Sequence, residues 1–160
     1  MQRVGLGYDS HRFTSGRALI LGGVRIDHPL GLEGHSDADA VLHAITDAIL
    51  GAAGQGDIGE LFPDTDPRLA GADSALFIRR AVEIAAAKGL AVGNCDVTVL
   101  AEEPRLGPHK AAMRARIAEL LGVGVDAVAV KAKTNEGMGA IGRGEGIAVM
   151  AAVILVDCVS

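Results

Sequence analysis

The 160 residues are 49% hydrophobic yet contain one Tyr, three Phe and no Trp. The core of a single domain spanning 1–160 therefore has to be built from Ala, Val, Leu and Ile, with 22 glycines allowing tight turns and close packing. A net charge of -5 and a pI near 5.5 exclude a surface that coats nucleic acid, but a phosphorylated small molecule stays open, because local cations or metals neutralise phosphate.

From the N-terminus, Arg3–Tyr8, Ala18–Leu21 and Val24–Ile26 read as short strands separated by Gly-containing turns. Asp9 and His11 follow in the exit of the first strand, two apart and therefore on one face of extended chain. The stretch 37–50 is predicted to be helical, with Val41, Leu42, Ile45, Ala48 and Ile49 as a buried stripe. Asp39, His43 and Asp47 recur at i, i+4 on the opposite, polar face. The segment 54–67 formally contains G-x-G-x-x-G, but it follows a helix rather than a strand, and Pro63 and Pro67 bar a long helix after it. It is expected to be an acidic lid or ligand loop.

Ser74 is the expected N-cap of a second helix with Phe77, Ile78, Ala81, Val82 and Ala85 inward and Gly89 at its end. Residues 95–101 alternate as a strand, 108–121 form a third helix stopped by Gly122, 128–132 form the next strand, and 147–156 form a last strand apolar enough to be buried on both faces. Strand, helix, strand at this spacing predicts a crossover in an α/β (α+β) sandwich. The expected architecture is a mixed four-stranded sheet with helices on one face and a small N-terminal hairpin. So much apolar surface favours an oligomer. The longest apolar run is too short to span a bilayer as a helix. With no secretory leader and no CxxC around Cys95 and Cys158, the expected setting is the reducing cytoplasm, away from membranes.

Two imidazoles and a carboxylate suit zinc, and three protein ligands leave the fourth position open for chemistry. Asp9, His11 and His43 are thus a candidate metal site, although a lone Asp-x-His is a weak signal, and His35, Ser36, Asp37 and Asp39 crowd the same region. Lys133, Thr134 and Arg143 lie in a Gly-rich segment able to donate to phosphate oxygens, and Glu136 among them suits a magnesium ion held by one carboxylate. A plain turn with solvated charges is the alternative. The loop 101–109 carries two prolines that stiffen its backbone. No Gly-x-Ser-x-Gly elbow occurs, so a metal-assisted reaction fits better than covalent catalysis.

These pieces, namely Asp9-Ser10-His11, His35-Ser36-Asp37-Ala38-Asp39 with His43, Gly56 to Pro67 and Gly142-Arg143-Gly144-Glu145-Gly146, closely resemble the 2-C-methyl-D-erythritol 2,4-cyclodiphosphate synthase family of the non-mevalonate isoprenoid pathway, in the same order along the chain. The resemblance implies a homotrimer with the sheets facing the three-fold axis and active sites shared between neighbours. It also implies cyclisation of 4-diphosphocytidyl-2-C-methyl-D-erythritol 2-phosphate with release of CMP. The substrate's own 2-phosphate is then the nucleophile.

By position, the resemblance makes Asp9, His11 and His43 zinc ligands and Glu136 the holder of magnesium or manganese between the phosphates. It assigns His35 and Ser36 to the diphosphate, and Asp57, Ile58, Gly59, Phe62, Asp64 and Asp66 to the lid over the erythritol. Ala101, Pro104, Arg105, Leu106, Ala132, Lys133 and Thr134 fall to the cytidine and phosphate pocket. Arg143 falls at the polar end of a central cavity associated with isoprenoid diphosphates. Three positions depart from the family pattern: Lys133 stands where Thr is common, Gly137 where Lys is frequent, and Ala140 where Phe often lines that cavity. Asp47, one turn from His43, is a candidate for orienting the metal region. A phosphatase using the same cations on water, and a binding module without activity, are the competing classes.

Overall fold

The computed structural model describes residues 1–158. Its strands are β1 (Gln2–Thr14), β2 (Leu19–Leu21), β3 (Val24–Ile26), β4 (Gly31–Leu32), β5 (Leu90–Leu100), β6 (Val128–Lys133) and β7 (Gly146–Asp157). The helices are α1 (Ala40–Ala52), α2 (Ile58–Leu61), α3 (Ala75–Ala87), α4 (Lys110–Leu121) and α5 (Gly139–Gly142). Among the described residues the main sheet has five strands in the order β4-β1-β7-β5-β6, not four. The added strand is β4, whose two residues pair with Phe13 and Thr14 and are too short to show an alternating pattern. β1 and β5 run antiparallel to β7, while β5 and β6 are parallel and joined through α4, which is the expected crossover. β2 and β3 form a separate antiparallel ladder.

β1 does not end at Tyr8. It continues to Thr14, so that Asp9 pairs with Val149 and His11 with Ile147 inside the sheet. Polar side chains at the end of a strand hide its continuation, because the backbone ladder carries the pairing whatever the side chain. The odd-numbered residues of β1 face α1. Gly5 and Gly7 are glycines because the helix lies directly on the strand there: a Cβ at either would sit 1.8 Å from the carbonyl oxygen of Ala48 or Ala44 respectively. Farther along the same face the strand carries Asp9 and His11 instead, and α1 meets them with His43.

α1 is buried beyond the predicted stripe: Val41, Leu42, Ile45, Ala48 and Ile49 are joined in the core by Ala44, Thr46 and Leu50. Asp39 is its N-cap and is wholly buried. Its carboxylate accepts hydrogen bonds from the N–H groups of Leu42 (3.0 Å), Gly22 (2.9 Å) and Gly23 (2.7 Å), tying the β2–β3 turn to the helix. Burial pushes this carboxyl up to about 6 despite those three donors.

α3 and α4 cover the rest of the same sheet face, with Phe77, Ile78, Ala81 and Ala85 inward and Val82 half-buried. Gly122 ends α4 in the left-handed conformation at φ 69°. The opposite sheet face is bare: Val4, Leu6, Tyr8 and Met150 are 69%, 77%, 60% and 48% exposed. The last strand is therefore not buried on both faces within one chain, as its composition suggested. No helix among the described residues is long and apolar enough to cross a membrane.

Candidate active site

Asp9, His11 and His43 converge where the polar end of β1 passes the first turns of α1. Their ligand-capable atoms all lie within 4.8 Å of one another. Both rings turn a nitrogen on Asp9 Oδ2, His11 through Nε2 at 2.7 Å and His43 through Nδ1 at 3.2 Å. The far nitrogen of each ring is also engaged: His11 Nδ1 is 2.6 Å from the Glu33 carbonyl, and His43 Nε2 is 2.8 Å from Ser74 Oγ and 3.2 Å from Ser36 Oγ. A carbonyl only accepts, so His11 Nδ1 donates and Nε2 is the nitrogen presented to Asp9.

Burial alone would raise the Asp9 carboxyl, yet the hydrogen bonds and charges of His11 and His43 hold it below the usual carboxylate range. Burial also opposes protonation of His11, but Asp9 outweighs it and lifts the imidazole above its usual value. The donor set, two imidazole nitrogens about one half-buried carboxylate, fits zinc. His11 and His43 also line a cavity, so the cluster opens onto it.

That cavity, about 560 Å³, is walled by His35 and Ser36 on one side and by Ile58, Gly59, Phe62 and Asp64 of the lid on the other. The lid is not an unstructured loop. Asp57 caps α2 by accepting from Glu60 N–H (3.0 Å), and Asp66 caps a short 3-10 turn, Pro67–Leu69. Neither carboxylate lies on the cavity wall, because each is used locally. Asp66 is gripped by the Arg68 guanidinium (2.8 Å), which holds it down to about 2. Its carbonyl accepts from His35 Nε2 at 2.9 Å. Phe62 packs at a tilt against Phe77, with ring centres 4.6 Å apart, and Phe77 in turn lies 5.6 Å from His43. Asp47 does not reach His43. Its carboxylate accepts the Ile58 N–H at 2.7 Å and so anchors the start of the lid.

A second cavity of about 460 Å³ gathers Ala101, Pro104, Arg105, Leu106, Ala132, Lys133 and Thr134 at the ends of β5 and β6. Glu136 stands in the exposed turn that follows, with φ 52°. Ala38, in the turn before α1, is the other non-glycine residue with positive φ among the described residues, at 57°. Both strained positions sit in candidate site loops, where tertiary contacts must hold them. The strain in the Glu136 turn is held by Glu102, whose carboxylate accepts from the N–H groups of Asn135 (2.8 Å) and Gly137 (3.3 Å). Arg143 lies at neither cavity; it lines a third, with Phe13 and His28. Within one chain, then, the metal trio and Thr134 belong to different cavities.

Several participants escape reading from sequence. Arg17 donates to the carbonyls of Gly34 and Ser36 and shapes the His35 turn. The Glu33 carbonyl orients His11. Ser74, expected as a helix cap, makes no capping bond and turns to His43 instead. Backbone acceptors carry no sequence signal. The 31-residue separation between His43 and Ser74 hides the third.

The fold and the cluster together define a metal-site protein on a helix-covered mixed sheet. The chain belongs to the YgbB family, whose family model matches residues 2–156. It is 58% identical to the 2-C-methyl-D-erythritol 2,4-cyclodiphosphate synthase of Bordetella avium, over 96% of this chain and 94% of that protein. Among solved structures it is similar to the bifunctional IspDF of Campylobacter jejuni, with a TM-score of 0.94 and 43% identity, covering 98% of this chain and 43% of that longer one. A Plasmodium falciparum IspF in complex with CDP superimposes with a TM-score of 0.87 at 34% identity, covering 99% of this chain and 97% of that one.

Proposed function

We propose that this chain is a metal-dependent phosphorus-oxygen lyase that cyclises 4-diphosphocytidyl-2-C-methyl-D-erythritol 2-phosphate to 2-C-methyl-D-erythritol 2,4-cyclodiphosphate and releases CMP. The observation that carries this reading is the Asp9–His11–His43 cluster opening onto the lid cavity, in a chain 58% identical to a synthase of that name. In the reaction an oxygen of the substrate's 2-phosphate attacks the β-phosphorus, a new P–O bond forms, and the P–O bond to CMP breaks with its electron pair. No protein nucleophile is needed.

The chain's residues bind and orient. Asp9, His11 and His43 would hold one zinc per subunit, and Glu136 would hold magnesium or manganese with the substrate diphosphate. These cations supply charge neutralisation and polarisation of phosphate oxygens. His35 and Ser36 stand beside the cluster to receive the diphosphate. Ile58, Gly59, Phe62 and Asp64 close over the erythritol and limit water. Asp57 and Asp66, as capping residues, serve that lid by shaping it. Arg105 and Lys133 supply charge, Thr134 a hydroxyl, and Ala101, Pro104, Leu106 and Ala132 the walls of a cytidine pocket. Holding both ends of one substrate in line makes the attack intramolecular.

The active sites are shared in a homotrimer with the sheets turned to the three-fold axis. Two observations support this: the bare face of Val4, Leu6, Tyr8 and Met150, and the separation of the metal trio from Thr134 within one chain. An isoprenoid diphosphate in the axial cavity, with Arg143 at its polar end, belongs to the same reading. So does a reducing, cytoplasmic setting, supported by the unpaired Cys95 and Cys158. Residues 1–160 act as a single catalytic domain. Metal analysis with a CMP-release assay tests the proposal: zinc is expected in the purified protein and release is expected to need an added divalent cation. Release that persists after both cations are stripped contradicts it.

A further inference from the structure

Ser74 is wholly buried, with both of its donors held by one carboxylate: its N–H donates to Asp37 Oδ2 at 3.1 Å and its hydroxyl donates to Asp37 Oδ1. A carboxylate only accepts, so the hydroxyl proton of Ser74 is committed to Asp37. The Ser74 oxygen can then only accept from His43, whose Nε2 lies 2.8 Å away. His43 Nε2, which also has Ser36 Oγ 3.2 Å away, therefore carries a proton, so that Nδ1, 3.2 Å from Asp9 Oδ2, is the nitrogen a metal ion would take in place of its proton. Asp37 is itself fixed: its N–H donates to the Ala72 carbonyl at 3.0 Å, and its Oδ1 also accepts from Asp39 N–H at 3.1 Å.

We propose that Asp37 and Ser74 are a positioning pair that fixes the tautomer and tilt of His43, so that Nδ1 is the donor offered to zinc. The pair also joins the metal histidine to the chain returning from the lid, since Ser74 begins α3 directly after that segment. The proposal rests on Asp9, His11 and His43 being metal ligands. Partners that orient a ligating imidazole change metal affinity about 10- to 100-fold when removed.

The test uses the full chain loaded with zinc, with zinc affinity read by competition against a chromophoric chelator and the histidines followed by nitrogen-15 NMR. In the native protein the His43 Nδ1 resonance is expected at a metal-bound position, with a slowly exchanging proton on Nε2. Ser74→Ala is expected to weaken zinc binding about 10- to 100-fold and to expose the Nε2 proton to exchange. Asp37→Asn, which keeps an acceptor for the hydroxyl, is expected to lose less and serves if Ser74→Ala does not fold. Because the two residues act in series, the double variant should bind zinc no more weakly than Ser74→Ala alone. Unchanged affinity in a folded Ser74→Ala, additive losses in the double variant, or zinc on His43 Nε2 overturns the pair while leaving the metal site standing. A native protein that binds no divalent cation overturns the metal site and the pair together.

Discussion

Around Asp9, His11 and His43, polar side chains are held by distant parts of the chain: His11 by the Glu33 carbonyl, His43 by Ser74, and the α1 cap Asp39 by the β2–β3 turn. Around Thr134 the construction differs. Arg105, Lys133 and Thr134 are exposed on strand ends and a proline-stiffened loop, and the anchoring contact is to backbone, through Glu102. The first cavity is set before anything binds, as a metal site must be if three donors are to meet one ion. The second presents charge and hydroxyls whose partners come with the substrate. Damage to the first should propagate, and damage to the second should stay local.

The largest break expected is His43→Ala, which removes a donor from the wired cavity. Zinc content should fall to background and CMP release by about 10³-fold, the scale of losing a principal electrostatic stabiliser, while circular dichroism stays native. Next comes Gly7→Val, which drives a side chain into the Ala44 carbonyl, already 1.8 Å from any Cβ there. It should cost about 3 kcal/mol in urea denaturation and weaken zinc binding in parallel, because the same contact sets β1 against α1. A smaller and local effect is expected of Arg105→Ala: KM about tenfold higher, on the scale of one lost charged hydrogen bond, with zinc affinity unchanged. A shared loss of zinc would erase the contrast between the cavities.

The smallest effect concerns pH. Arg68 holds Asp66 down to about 2, below the ordinary 3.8. A carboxyl depressed on folding adds stability that is present above its unfolded value and lost as pH falls from near 4 toward 2. Arg68→Ala should lower the neutral-pH plateau of a thermal-melting profile slightly and leave its low-pH end in place, so that the acid limb becomes shallower; the change is small because the pair is exposed.

The order of strands and helices was legible because hydrophobic period survives in each element, and the crossover through α4 followed from spacing alone. The ends were less so. β1 runs six residues past Tyr8 because its ladder to β7 does not depend on side chains, and β4 is too short to have a period. The metal trio was legible as residue types, two on one strand face and one on a helix. What makes it a site was not: the glycines that let α1 lie on β1, and a serine 31 positions after His43. The polar ladder of α1 was legible too, but its partners were not. Asp39 accepts from backbone N–H groups of the β2–β3 turn and Asp47 from that of Ile58, contacts that no helical period records.

In the proposed cyclisation the substrate's own phosphate, and not water, attacks the β-phosphorus. This is tested most directly by running the reaction in oxygen-18 water and weighing the products. CMP and a cyclic diphosphate are expected, both free of solvent oxygen. A linear phosphate product carrying one heavy oxygen would show that the same cations activate water, and would contradict the intramolecular attack.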